Sequence, residues 1–378
     1  MALLEPSAEY ESNEEILDEG GLPEEYRRME HPELMKRIAA AKESLGEKLV
    51  ILGHHYQRDE IIQFADFQGD SLKLAQQALT RKDAKYIVFC GVHFMAESAD
   101  ILTSDEQVVI LPNMKAGCSM ADMAAIGQVE RCWEELSRAG VAGEIVPVTY
   151  INSAADLKAF VGRHGGIVCT SSNAPKIIEW ALNQKPRLLF FPDQHLGRVS
   201  ALKQGIPLEE MLLWDPQAPL GGHDEKALRA AKVYLWKGYC SIHQRFTVEQ
   251  IEQARKKHPG VRVVVHPESS LEVVQAADEY GSTEYIRRVI QDSPAGSVWA
   301  VGTEVTLVHR LAEEHPDKTV FCLDPVVWPC ETMYRIHPAF LCWVLESLVE
   351  GKVINQVKVP EEMARWARVA LDRMLEIS

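Results

Sequence analysis

Apolar residues along this chain gather in short β-rich runs that stop abruptly at polar ones, and the stop recurs three times. Residues 48–56, 144–152 and 261–268 each carry three or more consecutive apolar or β-branched positions and then break at His54-His55-Tyr56, at Tyr150-Ile151-Asn152 and at His266-Pro267-Glu268. Continuous runs of this kind are the mark of parallel strands buried on both faces, and the polar break marks a rim where they end. A helical stretch follows each, opened by Ser, Asp or Thr: Asp70-Ser71, Ser153 to Asp156, and Ser282-Thr283. These are the residue types that cap helix starts. A second strand-to-helix turn recurs at 86–94, 166–174 and 297–305, and a third strand at 107–112, 187–192 and 319–325. The loop after the third strand then delivers one cysteine, at Cys118, Cys240 and Cys330.

The chain therefore reads as an α/β protein of three related units with parallel sheets and right-handed crossovers. Ligands of such sheets lie beyond the carboxyl ends of the strands, so three facing rims would enclose one central site with a cysteine from each unit at its floor. The expected boundaries are an acidic extension at 1–33, units at 34–117, 118–239 and 240–329, and a C-terminal cluster loop and helices at 330–378 packing back on the first unit. Cys118 and Cys240 are 122 positions apart and Cys240 and Cys330 only 90, which places an insertion around residues 214–226 of the second unit. Pro360 begins a terminal helix, near whose first position proline is favoured.

Composition narrows the function. At 378 residues the chain exceeds the roughly 250 over which one hydrophobic core extends. None of its apolar runs approaches the roughly 20 residues of a membrane span. A net charge of -15 without a Lys/Arg cluster argues against a sequence-independent nucleic-acid partner. Residues 1–33 are rich in Glu and lack the pattern of a secretory signal, so the expected compartment is the cytosol. The eight cysteines are then reduced thiols or metal ligands, and none forms a CxxC pair, which removes zinc ribbons, thioredoxin-like pairs and ferredoxin-type clusters. Neither a GxGxxG fingerprint nor a GxxxxGK[ST] phosphate loop occurs.

Cys90, Cys169 and Cys322 lie in apolar strands, and Cys132 and Cys342 in helical patterns, so these five read as packing. Cys118, Cys240 and Cys330 lie in polar or Gly/Pro-bearing loops at one place in the repeat and read as metal ligands. Three thiolates suit zinc or an iron-sulfur cluster. A 4Fe-4S cluster held by three cysteines leaves one iron open to act as a Lewis acid. Ser71, Ser171, Ser282 and Thr283 fall at strand-to-helix turns, where backbone N–H groups favour anions such as phosphate and carboxylate.

Over residues 34 to 350 the sequence resembles the quinolinate synthase family. The resemblance is carried by residues 53–57, 64–71, 91–97, 150–152, 170–174, 266–268 and 281–283 besides the cysteine loops. It implies three α/β/α units of pseudo-threefold symmetry around a 4Fe-4S cluster on Cys118, Cys240 and Cys330, and condensation of iminoaspartate with dihydroxyacetone phosphate to quinolinate. By the same resemblance Tyr56 and Glu268 handle protons, and His54 and His266 bind substrate oxygens and assist transfer. Tyr150, Asn152, Ser71, Ser171, Ser282 and Thr283 hold substrate, and His243 lies near the cluster. An L-aspartate oxidase is the implied supplier of iminoaspartate. The competing readings are another three-cysteine 4Fe-4S hydro-lyase, a zinc enzyme, and a non-catalytic iron or redox sensor. The sensor lacks a visible output module.

Overall fold

The computed structural model describes residues 13–18, 20–326 and 328–377, so residues 1–12 of the expected acidic extension lie outside the described residues. The first repeat supplies β1 (Leu49–His54), β2 (Phe67–Gly69), β3 (Tyr86–Cys90) and β4 (Val108–Ile110). The second supplies β5 (Ile145–Tyr150), β6 (Ile167–Cys169), β7 (Arg187–Phe191), β8 (Met211–Trp214) and β9 (Val233–Trp236). The third supplies β10 (Arg262–Val265), β11 (Glu279–Tyr280), β12 (Val298–Gly302) and β13 (Thr319–Cys322), after which comes β14 (Gln356–Val357). The described residues fold as two compact units, one within residues 1–118, 294–297 and 303–358, the other within residues 119–293, 298–302 and 359–378.

The first unit is built on the sheet β14-β4-β3-β1-β2, parallel except for β14, which runs antiparallel to β4. Every residue of β1 is buried, as a strand covered on both faces by helices requires. Gly53 within it is dictated by close approach, since a Cβ there would meet Ala65 and Ile62 at 2.9 Å. The helix His31–Leu45 buries Leu34, Ile38, Ala41 and Leu45, one stripe at helical spacing, and lays it on the largely buried helix Pro338–Val349.

The second unit holds the wholly parallel sheet β6-β5-β7-β9-β8 and the parallel strands β11-β10-β12. The last helix, Glu361–Ile377, lies against the helix Ala155–Arg163. Gly162 permits that approach, because a Cβ there would stand 2.0 Å from the Trp366 carbonyl oxygen. No helix of the described residues is long and apolar enough to cross a membrane.

The strand pattern expected from sequence needs one correction. The pairing order β2-β1-β3, β6-β5-β7 and β11-β10-β12 makes β6 the counterpart of β2 and β11, and β7 the counterpart of β3 and β12. The sequence reading had matched residues 166–174 with 86–94 and 297–305, one strand too early. It overlooked β2 and β11 because they are three and two residues long and largely half-exposed, so neither carries an apolar run. With that shift the repeats share four strands, the second repeat having β8 in addition, and Cys118, Cys240 and Cys330 each follow the last shared one, β4, β9 and β13. The longer second spacing arises from the added edge strand β8, the turn Pro219–Gly222 and the helix Glu225–Ala230.

Candidate active site

In the first unit β1 delivers His54 at its last residue, buried, followed by a half-buried Tyr56. His54 Nδ1 accepts from the Tyr56 amide at 3.1 Å, and the two rings meet edge to face at 4.7 Å. The Tyr56 hydroxyl is 2.9 Å from Thr303 Oγ1. The backbone of this turn is clamped by one guanidinium: Arg310 donates to the carbonyls of His55 at 2.9 Å and Gln57 at 2.5 Å and pairs with Asp59 at 2.6 Å. Gln57 and Arg58 reach the other way, to the carbonyls of Met333 at 3.0 Å and Tyr334 at 2.7 Å, and the Arg58 guanidinium lies 3.5 Å over the Tyr334 ring. The turn is thereby joined to the segment just after Cys330.

In the second unit the side chains hold one another. Tyr150, the last residue of β5, donates its hydroxyl to Glu268 Oε1 at 2.7 Å, and Glu268 Oε2 takes His243 Nδ1 at 2.7 Å. His243 and His266 stack with centroids 4.3 Å apart and planes 15° from parallel. Glu268, His243 and His266 are all about 2% exposed. Burial opposes ionisation of Glu268, but the two histidines and the Tyr150 hydroxyl outweigh it and lower its pKa to about 2. A carboxylate only accepts, so Tyr150 and His243 are the donors. Burial lowers His266 to about 3, leaving a neutral imidazole at physiological pH. The Asn152 Oδ1 is buried without a hydrogen-bond partner among the described residues, an acceptor left for something not made of this chain.

Cys118, Cys240 and Cys330 are half-buried, whereas Cys90, Cys132, Cys169 and Cys342 are buried. Cys322, at the end of β13, is half-buried as well and does not share the core position of those four. The three loop thiols fit an iron-sulfur cluster: soft ligands, partly open, at one place in each repeat. Cys240 Sγ, His243 and Glu268 also bring their ligand atoms within 4.8 Å of one another, although His243 and Glu268 are committed to their mutual hydrogen bond.

The four hydroxyls expected to bind anions divide. Each lies at the start of the helix that follows the short second strand, β2, β6 or β11. Ser282 is itself the cap of the helix Thr283–Gln291, taking the Tyr285 amide at 3.3 Å. Ser71 is not a cap: Asp70 takes the Lys73 amide at 2.9 Å and caps the helix Ser71–Thr80. Ser171 stands half-buried in the turn 170–173, where Asn173 Oδ1 accepts the Thr170 amide at 2.7 Å, and Thr283 is buried.

Two buried carboxylates were not singled out from sequence. Asp193 caps the helix Gln194–Lys203, taking the amides of His195 at 2.8 Å and Leu196 at 2.7 Å. Glu304 caps the helix Val305–Glu314, taking the amides of Thr306 at 2.9 Å and Leu307 at 3.3 Å. Burial raises both, Glu304 to about 7. The signal available was an acidic residue two positions past a strand and just before an apolar helical run.

Comparison with known proteins points to one family. The sequence model of the family described as Quinolinate synthetase A protein matches residues 36–376. The chain is 60% identical over 356 residues to the quinolinate synthase of Corynebacterium glutamicum, covering 94% of this chain and 90% of that protein. It is 56% identical over 354 residues to that of Anoxybacillus flavithermus, with 94% and 96% covered. To that of Geobacillus kaustophilus it is 56% identical over 364 residues, with 96% and 98% covered.

Proposed function

Because the chain belongs to the quinolinate synthase family, and so makes quinolinate for NAD biosynthesis, we propose that it condenses iminoaspartate with dihydroxyacetone phosphate, with Cys118, Cys240 and Cys330 holding a 4Fe-4S cluster. The atoms balance: the two substrates give quinolinate, one phosphate and two waters. When bound, the cluster supplies an open iron as Lewis acid toward a substrate oxygen. The remaining chemistry belongs to the chain.

The observation that carries this reading is the buried Glu268, ionised and held between Tyr150 and His243 with the neutral His266 stacked beside them. Isomerising a hydroxyketone and then dehydrating and aromatising the adduct requires groups beside the substrate that take and return protons. Glu268 and His266 are the proton acceptors on this rim. Tyr56 handles a proton at the rim after β1, and His54 binds a substrate oxygen. Tyr150 and Asn152 orient the substrate, the orphan Asn152 Oδ1 accepting from it. Ser71, Ser171, Ser282 and Thr283, with the amides of the helix starts on which they sit, take the carboxylates and the phosphate. Short-range donors of this kind outweigh a net charge of -15 screened over roughly 8 Å.

In this account the three repeats, 34–117, 118–239 and 240–329, each contribute one rim, flanked by the extension 1–33 and the tail 330–378. The enzyme works in the cytosol on iminoaspartate delivered by an L-aspartate oxidase, because the imine hydrolyses readily. The test is an anaerobic, cluster-replete preparation given both substrates and assayed chromatographically for quinolinate. Quinolinate forming in proportion to protein supports the substrate assignment, and its absence from a preparation that demonstrably holds the cluster overturns it.

A further inference from the structure

The third strand of each repeat, β3, β7 or β12, ends two residues before a helix cap, and these caps are Val92, Asp193 and Glu304. Each cap stands where a cysteine loop attaches. The Cys330 amide donates to Glu304 Oε1 at 3.1 Å. The Cys240 amide faces the Asp193 carboxylate without a hydrogen bond to it, and Asp193 Oδ2 is buried with no hydrogen-bond partner among the described residues. Both carboxylates are fully buried. The first repeat has no side chain to do this, and there the loop is fastened through main chain: the His93 amide donates to the Ala116 carbonyl at 2.8 Å, two residues before Cys118. The second repeat has the same main-chain link, Gln194 amide to Gly238 carbonyl at 3.0 Å, two residues before Cys240.

Helix capping alone needs no acid of this depth. Serine, threonine or asparagine serves as well, and burying a carboxylate is unfavourable unless its oxygens are used. The amide that each acid meets beyond its own helix is that of a cysteine.

From this we infer that Asp193 and Glu304 are positioning residues for the cluster: Glu304 ties a helix start to the Cys330 amide, Asp193 holds a buried, unshared carboxylate oxygen where the Cys240 amide faces it, and each fixes the direction of its thiol. Cys118 is placed through its backbone link instead. The inference rests on the proposed cluster and adds that two of its three ligands depend on an acid that never touches iron.

The test compares Asp193→Ala, Glu304→Ala and Val92→Ala with wild type after anaerobic reconstitution. Iron and sulfide per chain, the visible charge-transfer absorption and the rate of iron release to a chelator are read alongside thermal unfolding of the iron-free protein. Val92→Ala opens space at the equivalent cap and controls for lost packing. The acid variants are expected to release iron about tenfold faster or more, the factor of one lost charge-assisted hydrogen bond, with altered absorption, while Val92→Ala releases it at the wild-type rate. Should either alanine variant fail to fold, Asp193→Asn and Glu304→Gln replace it; they keep size and one acceptor and should show a smaller acceleration. Acid variants that lose thermal stability yet release iron no faster than Val92→Ala would reduce the two residues to helix caps and overturn the inference alone. A wild-type chain that takes up no iron overturns the cluster proposal with it.

Discussion

The two rims hold their candidate side chains by opposite means. After β1 the protein grips the backbone: Arg310, Gln57 and Arg58 make their bonds to carbonyl oxygens, leaving Tyr56 half-buried with its hydroxyl on a neutral threonine. After β5 and β10 it grips the side chains themselves, Tyr150 to Glu268 to His243, with His266 stacked behind. The first arrangement fixes the backbone position of the turn that carries Tyr56. The second fixes protonation, because a buried carboxylate with two donors on it stays charged.

The largest effect should come from breaking the side-chain rim. Glu268→Gln removes the charge but keeps the shape, and kcat is expected to fall by about 10²- to 10⁴-fold, the range of a general base, with the unfolding midpoint little changed. Tyr150→Phe takes away one of its two donors and should cost about tenfold, because His243 remains. A kcat for Glu268→Gln within threefold of wild type would refute the role given to this rim. On the backbone-held rim, Arg310→Lys cannot span two carbonyls and a carboxylate at once. It should lower stability by about 1.5–3 kcal/mol, read as a urea midpoint, and raise KM more than it lowers kcat. A change in kcat alone would show that this rim also sets protonation.

These rims were legible in the sequence to different depths. β1, β5 and β10 announce themselves because strands buried on both faces are continuously apolar, and their polar ends marked His54, Tyr56, Tyr150, Asn152, His266 and Glu268 as candidates. The cysteine loops stood out for the converse reason, as polar interruptions. What the sequence concealed was pairing across distance. Tyr150 and Glu268 are 118 positions apart, His243 and Glu268 25, Glu304 and Cys330 26, and no local pattern reports a hydrogen bond of that separation. The edge strands β2 and β11 were hidden because their side chains are half-exposed and too few to show a period.

A smaller effect separates the scaffold from both rims. Glu346 on the helix Pro338–Val349 takes the Tyr26 hydroxyl at 2.7 Å and Arg37 Nε at 2.7 Å, tying the N-terminal helices to it. Burial alone would raise this carboxyl, but the bonds from Arg37 and Tyr26 outweigh it and hold it below its ordinary value. A depressed carboxyl stabilises the fold above its unfolded pKa, and that stability is lost as pH falls through the folded value. Glu346→Gln should therefore lower the urea midpoint at pH 7, and the gap to wild type should close in acid below about pH 4. A gap that is the same at both pH values would remove the ion pair from the account.

The central claim is that one cysteine from each repeat holds an iron-sulfur cluster, and anaerobic analysis of iron and acid-labile sulfide per chain tests it most directly. The account predicts about four of each in the wild type, near none in Cys118→Ala, Cys240→Ala or Cys330→Ala, and wild-type content in Cys90→Ala and Cys342→Ala. A fully active chain that carries zinc and no sulfide, or equal loss of iron across all five variants, would contradict it.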